Sequence, residues 1–317
     1  MNRLLVALLL SLSLPACQTV RPSEAPRRVV PTAPSSAVLE GDFDNHEQVW
    51  SAREAGAADA APHVLVSLAP TARDDWSLWR IRVDSTPAMD ATWAVRRIAA
   101  DKGAVTLLPH RALVAAPGTG EAFDPRQWTP LDACALRGTT TASAIQATAD
   151  IAACATIAPG IGAQAALLPL AVEREGEWLH VRLYADQARG AQARSDARRV
   201  QMFGGWAAIN GSGPDAGADS SDWHMNRNLR IGSEGGRVAL AWRDGKPSGY
   251  SLGLERLTYR DGGVPVLKLS VIDDGSGRTL AYAWANPEAT RIGINLGWVQ
   301  VGLDRDATTV VEKEKAK

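Results

Sequence analysis

The chain has 317 residues, a formal net charge of -1 and 45% hydrophobic residues. This balance excludes a polycationic nucleic-acid binder and an acidic disordered chain, so we expect no nucleic-acid partner. The length predicts about two domains, and three cysteines with five scattered histidines predict no metal site.

The first 17 residues have the pattern of an export signal peptide. Arg3 carries the only early charge, and an apolar run of about 11 residues follows, which is too short to span a bilayer. The run ends in Leu14-Pro15-Ala16-Cys17, which resembles the lipobox of bacterial lipoproteins. The resemblance implies that Cys17 becomes the acylated first residue of the mature chain. The alternative is an ordinary secretory signal with an incidental cysteine.

The residues after Cys17 predict where the protein is held. In lipoproteins of this type a residue other than Asp after the cysteine implies sorting to the outer membrane, and here that residue is Gln18. The expected location is therefore the periplasmic face of the outer membrane, with the membrane as a partner through the lipid. Residues 18–37 contain four prolines and no apolar periodicity, which predicts an extended tether.

An eight-residue segment after the tether resembles a known family. Residues 41–48 read G-x-F-x-N-x-x-Q, like the opening of the CpcT/CpeT family, the T-type phycobilin chromophore lyases. The order of aromatic strands and cysteines downstream also fits, over residues 38–199. The resemblance implies an antiparallel β-barrel, or calyx, that holds a bilin or another tetrapyrrole as an amphipathic ligand. The family's lyases help a cysteine of a partner protein to add to that chromophore.

Such a ligand requires cations for its propionates and flat surfaces for its pyrroles. We expect Arg82 and Arg96 to anchor propionates, with polar side chains orienting the ligand near the barrel mouth. The full set of predicted ligand-binding residues is Asn45, Gln48, Trp79, Arg82, Trp93 and Arg96. Each has a plainer alternative: the amides cap a helix and satisfy backbone groups, the arginines lie on a solvated face, and the tryptophans pack in the barrel core.

Two segments depart from the family pattern. Relatives carry Tyr-x-Glu-Gln and Tyr-Arg-Gln-Arg, where this chain reads Trp79-Arg80-Ile81-Arg82 and Trp93-Ala94-Val95-Arg96. The Glu-Gln pair is absent and one Arg-Gln pair is Ala-Val. We therefore expect the barrel to be retained and the lyase reaction to be changed or lost, and we assign no catalytic residue.

Most of the chain alternates between apolar and polar residues with period two, which predicts β-strands. The clearest runs are residues 79–83, 179–183, 238–242, 250–254, 267–271, 280–284 and 292–298. Asp-Gly turn signals separate them, as antiparallel hairpins require. The predicted class is all-β, with a β-barrel followed by a β-sandwich-like domain. Residues 141–158 are rich in alanine and predict either a short helix or a loose loop.

The two cysteines that follow the lipobox predict a disulfide. Cys134 and Cys154 would meet in an oxidising compartment, and closing their loop would stabilise the fold by roughly 3 kcal/mol. The alternative, a nucleophilic cysteine, lacks a nearby histidine or basic cluster.

The C-terminal half predicts a second unit over residues 200–303, followed by a charged tail over residues 304–317. Its strands mix tryptophans with amides, a combination that suits sugar recognition and equally suits a packed sandwich. The second functional hypothesis is therefore a noncatalytic envelope module that binds a glycan or another envelope protein through this unit.

Overall fold

The computed structural model describes residues 39–57, 60–217, 219–259 and 263–306. The predicted signal peptide with Cys17, the tether and residues 307–317 of the predicted tail lie outside the described residues. None of the helices in the described ranges has the length and apolar character that crossing a bilayer requires.

Nineteen strands and two α-helices form in the described ranges. The first eleven strands are β1 (Gly41–Asp44), β2 (His63–Pro70), β3 (Trp76–Asp84), β4 (Met89–Ala99), β5 (Ala104–Ala112), β6 (Trp128–Pro130), β7 (Leu136–Thr140), β8 (Ala144–Ala149), β9 (Pro169–Glu175), β10 (Trp178–Leu183) and β11 (Ser195–Arg199). The other eight are β12 (Met202–Asn210), β13 (Trp223–Gly232), β14 (Glu234–Ala241), β15 (Pro247–Thr258), β16 (Pro265–Asp273), β17 (Thr279–Ala285), β18 (Arg291–Asn295) and β19 (Val299–Arg305). The helices are α1 (His46–Glu54) and α2 (Ile151–Ile161).

Ten of the first eleven strands close an antiparallel β-barrel. The sheet runs β4-β3-β2-β1-β11-β10-β9-β8-β7-β5, and pairing of β5 with β4 completes the circle. The first strand pairs with the last, Phe43 lying opposite Arg199. Strand β6 adds to β5 outside the circle. The predicted all-β class with an antiparallel barrel is confirmed.

Alternation decides which side chains enter the barrel. In β3, Trp79, Ile81 and Val83 are buried in the core, whereas Arg80 and Arg82 are exposed on the outer wall. The same pattern repeats around the circle, because successive side chains of a strand point to opposite faces. The inward residues form one hydrophobic cluster that fills the barrel.

Helix α2 and the 3-10 turn after it pack at one end of the barrel. Ile151, Ile157 and Leu167 belong to or pack against the core cluster. The Asp150 side chain caps the helix by accepting a hydrogen bond from the Ala153 amide at 3.1 Å. We call the opposite end, where β1 begins and β9 and β11 end, the barrel mouth.

The alanine-rich stretch differs in part from its prediction. Residues 151–158 are helical, but the residues before them form β8 rather than a helix or a loop. The reason is that Ile145, Ala147 and Ala149 alternate into the barrel core. The predicted disulfide between Cys134 and Cys154 is confirmed, with both cysteines buried and their Cα atoms 4.5 Å apart.

The last eight strands form two four-stranded sheets around a second core. Their orders are β13-β12-β19-β18 and β14-β15-β16-β17. Both sheets contribute to one cluster, which includes Phe203 and Leu303 from the first and Leu252 and Leu269 from the second. The first and last strands of this unit, β12 and β19, pair with each other.

A buried ionic cluster joins the barrel to the second unit. Glu234 of β14, whose side chain is 0% exposed, lies 2.9 Å from Arg198 of β11. The same carboxylate accepts a short hydrogen bond from Arg256 of β15. Arg198 also pairs with Glu47 of α1 at 2.8 Å. The described residues of the barrel and of the two sheets thus belong to one compact unit.

Candidate functional site

The structure places the two predicted stacking tryptophans inside the barrel core. Trp79 and Trp93 lie opposite each other on β3 and β4 and are 1% and 0% exposed. The Trp93 Nε1 atom donates to the Leu167 carbonyl oxygen at 3.0 Å, and the Trp79 Nε1 atom donates to the Ser77 hydroxyl at 2.9 Å. Their rings and their polar atoms are therefore used in packing.

The two predicted propionate anchors lie on the outer wall. Arg82 and Arg96 are both exposed, and the Arg96 Nε atom is 3.0 Å from Asp75 Oδ2. Because the tryptophans point inward and the arginines outward, these four residues do not surround one ligand.

The two predicted amides fasten α1 to the barrel. Asn45 is 0% exposed and donates to Gln48 Oε1 at 3.0 Å and to the Pro62 carbonyl oxygen at 2.9 Å. Its own oxygen accepts from the Val64 amide at 2.7 Å. Gln48 in turn bonds the backbone of Arg194. The structure brings Asn45 and Gln48 together, and their bonds satisfy backbone groups.

Four aromatic rings lie together on a surface formed by the second unit and α1. The alternation of apolar and polar residues in the predicted strands did not indicate that these rings are exposed. We call Trp50, Tyr259, Tyr282 and Trp284 the aromatic surface. Successive ring centroids are 5.5 Å, 5.8 Å and 5.3 Å apart along the path Trp50, Tyr259, Trp284, Tyr282. Tyr282 and Trp284 are 56% and 57% exposed. Tyr259 is also exposed, whereas Trp50 is half-buried. Contiguous exposed apolar groups are typical of interaction surfaces, whereas single exposed apolar residues are common on any protein.

Strand β17 presents these rings because its small residues face the core. Ala281, Ala283 and Ala285 pack against the second core, so Tyr282 and Trp284 point away from it. The strand lies at the edge of its sheet. The apolar face that the sequence predicted for this strand, with Tyr282 and Trp284, is therefore exposed.

Polar groups lie next to the rings on the same face of the sheet. Lys268 lies opposite Trp284 on the neighbouring strand and is 3.5 Å from Glu255. Ser270 lies opposite Tyr282, is 3% exposed, and its hydroxyl has no hydrogen-bond partner among the described residues. The surface therefore combines ring faces with a carboxylate and an ammonium group, whereas the Ser270 hydroxyl is buried.

Charge pairing keeps the carboxylates of this face ionised. Burial alone would raise the pKa of Glu255, but the hydrogen bond and charge of His46, together with Lys268, lower it overall. A hydrogen bond from Ser251 and the charge of Arg237 lower the pKa of Asp274. Ionised carboxylates are strong hydrogen-bond acceptors, which is the property that hydroxyl-rich ligands use.

No cluster of three or more histidine, cysteine, aspartate or glutamate side chains in the described ranges is arranged to hold a metal ion. At the end of the barrel near α1, His63 lies 2.6 Å from Asp44 and 2.7 Å from Asp84. Its hydrogen bond to Asp44 is the main cause of a raised pKa. This group is a titrating ion pair rather than a metal centre.

Comparison with known proteins adds no family to these observations. No family model matches the chain, and no curated protein matches it. The resemblance of residues 38–199 to the T-type chromophore lyases therefore stays a prediction.

Proposed function

We propose that this chain is a noncatalytic binding module that holds a glycan on the aromatic surface. The observation that carries the proposal is the unbroken row of rings that ends in Tyr282 and Trp284, both more than half exposed. An exposed ring can stack on the apolar face of a sugar, and polar groups beside it can bond the hydroxyls.

A glycan explains the polar neighbours better than a protein partner does. The cores of protein interfaces are depleted in Lys and Glu, whereas Lys268 and Glu255 lie directly beside the rings here.

We further propose that Cys17 is lipidated and that the protein is held at the periplasmic face of the outer membrane. The support is the lipobox-like Leu14-Pro15-Ala16-Cys17 and the following Gln18. Peptidoglycan is the polymer that such a location offers. The disulfide between Cys134 and Cys154 fits an oxidising compartment.

A tetrapyrrole ligand of the barrel stays a prediction. The barrel interior is filled by side chains of the core cluster. The six residues predicted for that ligand divide between the core, the outer wall and the attachment of α1.

Co-sedimentation of the purified full chain with insoluble peptidoglycan tests the glycan proposal. We expect saturable binding, and Trp284→Ala or Tyr282→Ala should weaken it about tenfold, because a stacked ring contributes about 1 kcal/mol or more. The matched control is Trp206→Ala, since Trp206 is 41% exposed but lies on the other sheet.

The thermal unfolding midpoint of each variant should stay near that of the wild type, because these rings are largely solvated. Absence of sedimentation by the wild type, or equal losses in the Trp206 control, would contradict the proposal. Capture of a protein through the same rings without glycan binding would also contradict it.

A further inference from the structure

A depression lies on the outer wall of the barrel, across β8, β9 and β10, and we call it the outer depression. The strand register places six outward side chains there in two rows, Gln146, Glu173 and His180 in one and Thr148, Ala171 and Arg182 in the next. Ala171 contributes only a methyl group between its two longer neighbours in the row. The surface of the sheet is therefore lowest at this residue.

The outer depression has room for a small molecule. All six side chains line a cavity of about 120 Å³ that is open to solvent. A single water needs roughly 10–15 Å³ on the same measure, so the cavity accepts on the order of ten heavy atoms.

The far side of the cavity is formed by residues 191–194, in the connection between β10 and β11. Hydrogen bonds fix the backbone of this connection. The Ala193 amide donates to the Gly190 carbonyl oxygen at 3.2 Å, and the Gln48 side chain donates to the Arg194 carbonyl oxygen at 3.1 Å. The cavity wall is therefore preformed.

His180 is oriented so that one ring nitrogen is left for a ligand. Its Nδ1 atom is 2.5 Å from Asp196 Oδ1, an oxygen that also lies 2.9 Å from Arg194 Nε. Because an ionised carboxylate only accepts hydrogen bonds, Nδ1 carries the hydrogen of the neutral ring and Nε2 is an acceptor. The Nε2 atom has no partner among the described residues, and 23% of the side chain is exposed. His180 can thus accept a hydrogen bond from a hydroxyl group.

Arg182 brings a positive charge that no carboxylate of the described residues pairs with. Its Nη2 atom donates to the Gly190 carbonyl oxygen over a long distance of 3.4 Å. Its Nε atom is buried, so a ligand would contact the terminal nitrogens. Arg194, by contrast, is occupied by Asp196 at 2.9 Å and by Glu173 at 3.7 Å. A carboxylate is a preferred partner of an unpaired guanidinium group.

Glu173 limits the charge that a ligand can bring. It lies opposite His180 in the register, and 42% of its side chain is exposed. A second negative charge on the ligand would face this carboxylate, which disfavours a phosphate dianion or a dicarboxylate. A hydroxyl group can instead donate to Glu173 or to His180 Nε2. The wall therefore favours one carboxylate with hydroxyl groups beside it.

We propose that the outer depression binds a hydroxy acid, with the carboxylate on Arg182 and the adjacent hydroxyl groups on His180 and Glu173. A free hydroxy acid and an acidic sugar residue share this chemistry. The site has no residue in common with the aromatic surface, and it holds whether or not that surface binds a glycan.

Calorimetric titration of the full chain with sodium D-glycerate and with sodium D-glucuronate, at equal ionic strength, tests the proposal. The matched probes are sodium acetate, which lacks the hydroxyl groups, and glucose, which lacks the carboxylate. We expect at least one hydroxy acid to bind saturably and about tenfold more tightly than acetate and glucose, because each probe forfeits a hydrogen-bonded group. Tighter binding of glycerate identifies a free acid, and tighter binding of glucuronate identifies an acidic sugar.

Two variants test the assigned roles. Arg182→Gln should weaken binding of the hydroxy acid about tenfold or more, because it removes the charge that holds the carboxylate. His180→Phe keeps an aromatic ring but removes Nε2, so it should reduce the preference for a hydroxy acid over acetate. The matched control is Arg227→Gln at an exposed position of β13, which should bind as the wild type does.

The thermal unfolding midpoint of Arg182→Gln should stay near that of the wild type, because Arg182 forms no salt bridge with the described residues. A second measurement needs no variant: the ring nitrogen signals of His180 in nuclear magnetic resonance spectra of the wild type should shift as the ligand saturates. The proposal fails if neither hydroxy acid binds the wild type saturably, or if acetate or glucose binds as tightly. It also fails if Arg182→Gln and His180→Phe both bind as the wild type does.

Discussion

His63 lies between two acidic side chains, and that position decides how its charge affects stability. Its Nε2 atom is 2.6 Å from Asp44, which is 5% exposed, and its Nδ1 atom is 2.7 Å from Asp84. The hydrogen bond to Asp44 raises the pKa of His63, burial opposes it, and Asp84 adds to it. Above the unfolded value of about 6.5, the folded state therefore holds a proton more tightly than the unfolded chain does.

A raised histidine pKa contributes stability that is fully present below the unfolded value of about 6.5 and is lost as the pH rises through the folded value. We predict that the free energy of unfolding of the wild type falls over this window and that His63→Gln falls less. Denaturant unfolding at about pH 6 and about pH 8.5 measures both. Burial lowers the pKa of His110, so the contribution of His110 to the free energy of unfolding falls on acidification. This pH dependence has the opposite sign to that of His63. Parallel pH profiles for wild type and His63→Gln would contradict the assignment.

Single residues differ in how far sequence alone could place them. Arg80 and Arg82 alternate with large apolar residues; we expected Arg82 to anchor a propionate and left a solvated face as the alternative, and the exposed positions of both arginines match that alternative. Arg174 follows Glu173 and precedes Glu175, so no apolar partner marks its inward side. Only the alternation of Arg174 with Leu170 and Val172 indicates that its side chain points inward. For Asn45 and Gln48 the sequence left two roles open, contact with a ligand or satisfaction of backbone groups. Their hydrogen bonds to backbone carbonyl oxygens match the second role.

At the scale of elements, α2 is attached to the barrel by a covalent bond as well as by packing. Cys154 lies in the helix, and Cys134 lies in the turn before β7, 20 residues earlier. The chain-entropy model assigns such a bridge about 3 kcal/mol, because it restricts the unfolded chain.

We predict that reducing this disulfide lowers the free energy of unfolding by about 3 kcal/mol. Urea unfolding of the wild type with and without dithiothreitol measures the change, and the Cys134→Ala, Cys154→Ala double variant provides a check. The double variant should be insensitive to the reductant. Equal stability of the oxidised and reduced wild type would contradict the prediction.

Strand β17 shows what period-two alternation can and cannot predict. It correctly grouped Leu280, Tyr282 and Trp284 on one face. It could not tell which face meets the core, since the opposite face carries only alanines and the bulkier residues would normally be buried. The outcome depends on packing between two sheets, which involves residues distant in the sequence.

At the scale of the whole molecule, the Glu234 carboxylate is the shared partner of two buried arginines. Arg198 belongs to the barrel and Arg256 to the second unit, and both are nearly inaccessible to solvent. Removing the carboxylate would leave two buried cations facing each other without their common partner.

We predict that Glu234→Gln lowers the free energy of unfolding by about 3–5 kcal/mol, the usual cost of breaking a buried pair. Asp90→Asn is the matched control, because Asp90 pairs with Arg80 on the surface, where a salt bridge contributes about 0–1 kcal/mol. Equilibrium urea unfolding measures both variants. Similar losses in the two would contradict the importance of the buried cluster.

The fold class followed from local alternation and turn signals, whereas closure of the sheets did not. Pairing of β1 with β11 and of β5 with β4 joins strands that no local pattern connects. The barrel was expected from the resemblance to the T-type lyases. Finding a barrel confirms the fold and leaves the chemistry open, because one fold hosts many functions.

Both sheet systems are completed by their last strand, and this has a consequence for biosynthesis. In the barrel, Phe43 of β1 pairs with Arg199 of β11, the last barrel strand to be synthesised. In the second unit, Phe203 of β12 pairs with Arg305 of β19, the last strand of that unit. A nascent polypeptide that has emerged only as far as β10 exposes the free hydrogen-bonding margin of β1, which is a template for aggregation. A premature stop codon before Val299 would likewise leave β12 unpaired along one side and β18 without a strand partner in its sheet. We therefore expect the barrel to close only after β11 has been synthesised, and the sheet that contains β12 to form only after β19 has been synthesised.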